Sequence, residues 1–254
     1  MPRTLLLLSL AGKIAAVGLW RAHAPLPLAA VFFSGPDFLI LYHLLAPSSQ
    51  GLCRVFTRFE VRRPEIWLTI DDGPDPEDTP RILDLLDRHG ARATFFFIGE
   101  RAARFPEIVA EVLRRGHEVG HHTHTHPMKW FWCATPRRLS AELDDALAAF
   151  RRAGARPRWF RSPVGIKNLL LGRALGARGL QYVGWNVRSH DVHSRDPAAV
   201  RDAVMKRVRP GSIVLMHEGP AMDARVRVAA LALVLEALSS RQFACVLPEP
   251  AQLR

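Results

Sequence analysis

Two stretches of this chain concentrate side chains able to bind a metal ion and move protons. The first is Thr69-Ile70-Asp71-Asp72-Gly73-Pro74-Asp75-Pro76, in which two adjacent carboxylates follow an apolar run and precede a Gly-Pro turn. Side chains alternate along an extended chain, so one carboxylate can bind a metal while the other accepts a proton. Asp, Gly and Pro are also ordinary turn residues, and a plain acidic turn is the alternative. The second stretch is Gly120-His121-His122-Thr123-His124-Thr125-His126-Pro127, which packs His121, His122, His124 and His126 together. His122 and His126 are spaced so that both rings face one ion if the backbone turns helically, with His121 and His124 pointing elsewhere. Two His and one Asp match a catalytic zinc site, which keeps a position open for water. A loop that binds metal adventitiously is the competing reading.

Three further stretches carry single groups of the same kind. In Phe160-Arg161-Ser162-Pro163-Val164-Gly165, the Arg can pair with a carboxylate and orient it, and the loop can aim backbone N–H groups into a site. Surface loops often contain the same residues. Trp185-Asn186-Val187-Arg188-Ser189-His190-Asp191-Val192 offers Asp191. Ile213-Val214-Leu215-Met216-His217 ends an apolar run in an imidazole, which taken alone reads as a satisfied core histidine.

These groups need elements to position them. Strand-like runs occur at Ile66–Ile70, Ala93–Ile98, His117–Gly120, Trp159–Arg161, Tyr182–Val187, Ser212–His217 and Phe243–Leu247. Helical patterns occupy Pro80–His89, Ala102–Arg115, Leu139–Ala153, Leu169–Arg178, Pro197–Val208 and Arg225–Ser239, with Gly90 and Gly116 just beyond the first two. Repeated strand–helix units of this length predict a parallel sheet, open or closed into a barrel of about seven strands. The polar residues fall at strand ends: Asp71 and Asp72, His122 and His126, Arg161, Asp191, His217. In a (β/α) barrel those ends converge on the mouth where active sites are built.

The first 50 residues differ. Thr4–Trp20 is apolar apart from Lys13, and Ala24–Pro47 is apolar apart from Pro36, Asp37 and His43. Each approaches the ~20 residues of a membrane span. The expected division is residues 1–50 as a hydrophobic membrane anchor of two helices and 60–254 as a catalytic domain. A single anchor, a signal cleaved after Ala22-His23-Ala24, and buried core helices are the alternatives. Arg54, Arg58, Arg62 and Arg63 favour a cytoplasmic start for the soluble part by the positive-inside rule, although an outer glycan would need the opposite side. The cytoplasmic membrane of a bacterium is the expected location, with the side of the domain open. The formal charge of +11 rests on scattered Arg and reads first as a solvated surface. No aromatic-interleaved basic stripe accompanies it, so no nucleic-acid partner is expected. Cys53, Cys133 and Cys245 are isolated and indicate neither a disulfide framework nor a Cys-based zinc site.

Taken in order, the motifs resemble those of the polysaccharide deacetylase family, carbohydrate esterase family 4, which shares the chitooligosaccharide-deacetylase homology domain. The resemblance covers about Glu65 to Leu247. It implies a distorted (β/α) barrel. It also implies a metal-dependent hydrolase removing N-acetyl groups from amino sugars of a polysaccharide, peptidoglycan or oligosaccharide. In that reading Asp72, His122 and His126 hold one divalent ion, zinc first and cobalt or another divalent ion as alternatives. Asp71 is the general base and Arg161 orients it. The Val164 N–H is an oxyanion donor, His217 is the general acid, and Asp191 is its partner. Leu215 lines the acetyl pocket. The chain departs from the family in having Val164 in place of an aromatic residue, and Arg188 and Val192 in place of Asp and Trp of the fourth motif; Trp185 is then expected to complete the pocket. The implied partners are an N-acetylated glycan and a membrane, with the protein a monomer. A deacetylase or deformylase of a lipid-linked amino sugar, and a non-catalytic metal- or glycan-binding membrane protein, are the alternatives.

Overall fold

The apolar run around Ile66 becomes the central strand of a parallel sheet. The computed structural model describes residues 2–223 and 226–254. The strands are β1 (Val55–Phe56), β2 (Glu65–Asp71), β3 (Ala93–Phe97), β4 (Glu118–His121), β5 (Trp159–Phe160), β6 (Gln181–Val183), β7 (Val187–Arg188), β8 (Ile213–His217) and β9 (Ala244–Cys245). The helices are α1 (Pro2–Arg21), α2 (Leu26–Leu45), α3 (Asp78–Arg88), α4 (Gly99–Arg104), α5 (Pro106–Arg114), α6 (Pro136–Arg152), α7 (Leu171–Gly176), α8 (Pro197–Arg207) and α9 (Arg227–Ser240). Arg225, expected to start the last helix, lies outside the described residues.

Eight strands run β1-β6-β5-β4-β3-β2-β8-β7 and curl into a half-barrel, with β9 added beside the start of β2. Every strand pair is parallel, as the repeated strand–helix pattern requires. The outer face of the sheet is covered by the apolar stripes of the helices. Ile82, Leu83 and Leu86 of α3, Val109 and Val112 of α5, and Leu231, Val234 and Leu238 of α9 are all buried at helical spacing. Each such side chain contributes ~1.5–3 kcal/mol. Inside the curl, Trp67, Phe96 and Trp159 fill the centre.

Two expectations change. The pattern over Ala102–Arg115 is two helices, because Pro106 has no N–H to continue the ladder and forces Phe105 out of helical geometry, at φ −129° and ψ 58°. The run Tyr182–Val187 is two strands on opposite sides of the curl: β6 pairs with β5 and β1, whereas β7 pairs only with β8. Between them Gly184 donates to the Phe56 carbonyl and Asn186 to the Ile213 carbonyl. Residues 51–59, which fall between the two expected domains, belong to the sheet. Val55 and Phe56 pair with Tyr182 and Val183, and Arg58 bridges to Ser212, so the segment fills the seam between β6 and β8 at its lower end.

Helices α1 and α2 pack together as a hairpin. Only 17% and 11% of their apolar windows are buried, so they are not core helices. Each is long and apolar enough to cross a membrane. The polar residues that interrupt the two runs meet each other. Lys13 Nζ lies 2.7 Å from Asp37 Oδ2 and 2.7 Å from Ser9 Oγ. The helices approach closely at Gly12, where a Cβ would collide with the Phe32 carbonyl and come within 2.9 Å of Pro36.

Trp67 ties the interior together: its Nε1 donates to Thr94 Oγ1 at 2.8 Å and its ring meets Trp159 edge-on at 5.5 Å. Trp67→Ala is expected to destabilise the domain by ~3–5 kcal/mol. Urea unfolding of the full chain in detergent micelles measures this; a loss of about 1 kcal/mol, typical of an average site, would contradict the packing described.

Candidate active site

The C-terminal ends of β2, β3, β4, β5 and β8 meet at one cleft. Register places Asp71 beside Phe96 of β3 and His217 of β8. The cleft has a volume of about 290 Å³, near the lower end for small-ligand sites. Asp71, Asp72, His122, His126, Val164, Trp185, Leu215 and His217 all line it. Arg161 and Asp191 stand behind its wall, bonded to Asp71 and His217.

The paired carboxylates face different partners. Asp71 is buried; its Oδ1 accepts from Arg161 Nη1 at 2.7 Å, and its Oδ2 lies 3.8 Å from His122 Nε2. Asp72 turns out of the strand at φ 78°. Its Oδ1 lies 3.4 Å from His122 Nε2 and 3.2 Å from His126 Nε2. One ligand atom from each of Asp72, His122 and His126 fits within 4.8 Å of the others.

These residues fit a divalent cation. Asp72 Oδ1 is buried and has no hydrogen-bond partner, an arrangement that a cation satisfies. His122 Nδ1 donates to the Arg161 carbonyl at 2.8 Å, which fixes the tautomer and leaves the Nε2 lone pair directed at Asp72. Burial pushes the His126 pKa down to about 4, so this ring too offers a lone pair at neutral pH. Burial raises the Asp72 pKa, but the adjacent His122 ring and the charges that His217 and His126 can carry outweigh it, and the carboxylate is held below its usual range.

The His-rich segment is a loop rather than the helical turn its spacing suggested. The two rings still converge, with centroids 4.9 Å apart, because Thr123 and His126 adopt left-handed backbone at φ 64° and 55°. His121 turns away and packs its ring on Phe150 and Phe160, with Nε2 donating to the Leu143 carbonyl at 3.0 Å. Glu142 of α6 braces the loop by accepting from the His124 and Thr125 amides, at 3.0 and 2.8 Å, and from Thr125 Oγ1 at 2.7 Å. Sequence reasoning missed Glu142. Its signal was an acid on the apolar stripe of Leu139, Leu143 and Ala146. Arg101 was also missed; it lines the cleft and donates to the Asp72 carbonyl at 2.7 Å.

Beside Asp71 at the end of β8, His217 Nδ1 meets Asp191 Oδ1 at 2.8 Å, and its backbone N–H donates to Asp191 Oδ2 at 2.7 Å. Burial would lower the His217 pKa, but the Asp191 charge and hydrogen bond, helped by Asp71 and Asp72, raise it to about 9. Val164 sits on the loop after β5 with φ 49°, rare for a β-branched residue. Asp72, Thr123, His126 and Val164 are four of the seven non-glycine residues with positive φ among the described residues. Strained backbone of ~1–3 kcal/mol per residue persists where the surroundings over-determine it, and functional sites are where it clusters. Arg188 and Val192, the two departures in the fourth motif, both line the cleft.

The chain is similar to known proteins in sequence and fold. A family profile described as polysaccharide deacetylase matches residues 59–183. A chitooligosaccharide deacetylase of Sinorhizobium fredii is 37% identical over 201 residues, which cover 75% of this chain and 93% of the relative. A peptidoglycan-N-acetylglucosamine deacetylase of Bacillus cereus is 36% identical over 180 residues, covering 70% of this chain and 83% of the relative. The crystal structure of a peptidoglycan N-acetylglucosamine deacetylase in complex with an N-oxidanyl-benzamide matches with a TM-score of 0.71 at 30% identity. It covers 78% of this chain and 92% of that one.

The Asp191–His217 pair sets a pH dependence. A raised His pKa keeps the imidazolium at neutral pH, and that form is lost as pH rises through the raised value. Removing the Asp191 charge lowers the pKa. Asp191→Asn is therefore expected to move the alkaline limb of the kcat/KM profile to lower pH by about one unit. An unmoved limb would show that a group other than His217 supplies the proton.

Proposed function

We propose, for a chain that belongs to the polysaccharide deacetylase family, that the residues converging in the cleft carry out the metal-dependent N-deacetylation typical of that family. The observation that carries the proposal is the placement of three chemically distinct pairings around one cleft. These are Arg161 with Asp71, Asp72 with His122 and His126, and Asp191 with His217.

Asp72, His122 and His126 would hold a divalent ion, which would supply Lewis acidity to the acyl group and to water in the cleft. Zinc is the expected ion, since the donor set is two imidazoles and one carboxylate. Asp71 acts as general base. Arg161 occupies its Oδ1 and leaves Oδ2 facing the ligand cluster, where it takes a proton from the attacking water. The water oxygen bonds to the acyl carbon, and the Val164 N–H helps hold the negative oxygen. The C–N bond then breaks, and His217, kept protonated by Asp191, gives its proton to the leaving nitrogen. The products are acetate and a free amino sugar. Leu215 and Trp185 line the space for the acetyl group. Residues 60–254 carry this chemistry, and α1 and α2 anchor the chain in a membrane.

A non-catalytic binding role would need neither the Arg161–Asp71 pair nor the buried Asp191 behind His217. Full-length protein in detergent micelles should release acetate from N-acetylglucosamine oligomers with zinc or cobalt, and none with a chelator. Asp71→Asn should keep the metal and lose about 10²–10⁴-fold in kcat. His122→Ala should lose both the metal and the activity. A metal-replete Asp71→Asn protein with full turnover would overturn the assignment of the base.

A further inference from the structure

Outside α1 and α2, the exposed large apolar side chains among the described residues are Met128, Trp132, Val164 and Leu170, at 48%, 43%, 48% and 42% exposure. Met128 and Val164 line the cleft, and Trp132 and Leu170 stand on the two chain segments that lead away from them. Asn168 binds the two rim loops together: its Nδ2 donates to the carbonyls of Phe131 and Ala134, and its Oδ1 accepts from the Leu170 amide.

The same rim is fastened to the hairpin. The Lys167 amide donates to the Leu44 carbonyl at 2.8 Å, and Lys167 Nζ donates to Ala46 and Pro47 carbonyls at 2.6 and 2.9 Å. Leu169 packs against Leu5, Leu44 and Leu52. Gly165, at φ 76°, lets the loop lie so near the end of α2 that a Cβ would stand 2.6 Å from Pro47 and 3.0 Å from Trp185. The cleft and the base of the hairpin therefore share one wall. Lys129, Arg137 and Arg138 are exposed beside the apolar rim, the mixture of side chains that suits an anionic lipid surface.

Arg188 adds a second feature. It is exposed, lines the cleft and makes no side-chain hydrogen bond or ion pair among the described residues, so its guanidinium is available to a ligand. Its guanidinium suits a phosphate.

We infer that the rim rests on the membrane surface and that the cleft takes an N-acylated amino sugar carried on a lipid through a phosphate. This rests on the deacetylase reading above and names the carrier of its substrate. The apolar rim continues the hairpin's lipid-facing surface to the cleft, and Arg188 meets the phosphate that links sugar to lipid.

The test uses full-length protein in vesicles of phosphatidylcholine and phosphatidylglycerol, with released acetate as the readout. Three substrates are compared: N-acetylglucosamine joined to a polyprenyl phosphate in the same vesicles, soluble N-acetylglucosamine 1-phosphate, and an N-acetylglucosamine tetramer. The lipid-linked sugar should be cleaved with kcat/KM about tenfold or more above the other two. Trp132→Ser combined with Leu170→Ser should lower the ratio of lipid-linked to soluble phosphate turnover. Arg188→Asp should lower turnover of both phosphate-bearing sugars relative to the tetramer. A tetramer cleaved as fast as the lipid-linked sugar overturns the inference and leaves the deacetylase reading standing. So does a soluble phosphate that matches the lipid-linked one. Acetate release from none of the three by metal-loaded protein overturns both.

Discussion

The guanidinium of Arg161 is wholly buried inside the curl of the sheet, and most of the site is referred to it. Its Nη1 reaches Thr69 and Asp71 on β2, its Nε and Nη2 reach the carbonyls of Val183 and Gly184 at the end of β6, and its plane lies 4.2 Å from the Phe96 ring. Burying a charge costs several kcal/mol unless charge and hydrogen bonds offset it. Here Asp71 supplies the charge and neighbouring acceptors supply the rest. The Arg161 carbonyl also receives His122 Nδ1, so one residue orients Asp71 with its side chain and the His122 imidazole with its backbone. The carboxylate pair at the end of β2 is divided in environment by this arrangement, since Asp71 pairs with the guanidinium and Asp72 faces the two imidazoles.

Much of this could be read in the chain because chemistry at a barrel mouth leaves polar residues at the ends of apolar runs. Asp71, Arg161 and His217 each stood at such an end, and the alternation of strands and helices implied parallel pairing. What could not be read has definite physical causes. The stretch Tyr182–Val187 looked like one strand because every residue but Gly184 and Asn186 is apolar or aromatic, yet the barrel turns a corner there. The His loop reaches its geometry through left-handed backbone at Thr123 and His126, which residue spacing does not encode. Glu142 was hidden because a carboxylate on an apolar helix face is legible only when its acceptors' partners are known. Residues 51–59 have too few residues in each short contact to form a visible pattern, and they are held by the sheet they complete.

The N-terminal hairpin shows how interruptions in apolar sequence can be complementary. Lys13 and Asp37 weaken each run as a span when considered singly, but together with Ser9 they satisfy one another across the helix interface. The close approach at Gly12 sets the helices near enough for this. At its base the hairpin is not a loose tether. Lys167 and Leu169 fasten it to the loop that carries Val164, so the orientation of the cleft relative to the hairpin is built into the fold.

The seam between β6 and β7 has a further consequence. Around the rest of the curl, neighbouring strands are locked by shared backbone hydrogen bonds, and altering their spacing would break a ladder. Among the described residues β6 and β7 share none; Gly184, Trp185 and Asn186 cross from one to the other, and below them the gap is closed by β1 and the Arg58 bridge to Ser212. Trp185 in that crossing forms a wall of the cleft. That wall of the mouth thus stands on a crossing that carries no strand ladder of its own among the described residues. Substitution or insertion there can reshape what the cleft admits while the carboxylates, imidazoles and guanidinium keep their positions, which separates the evolution of selectivity from the preservation of chemistry.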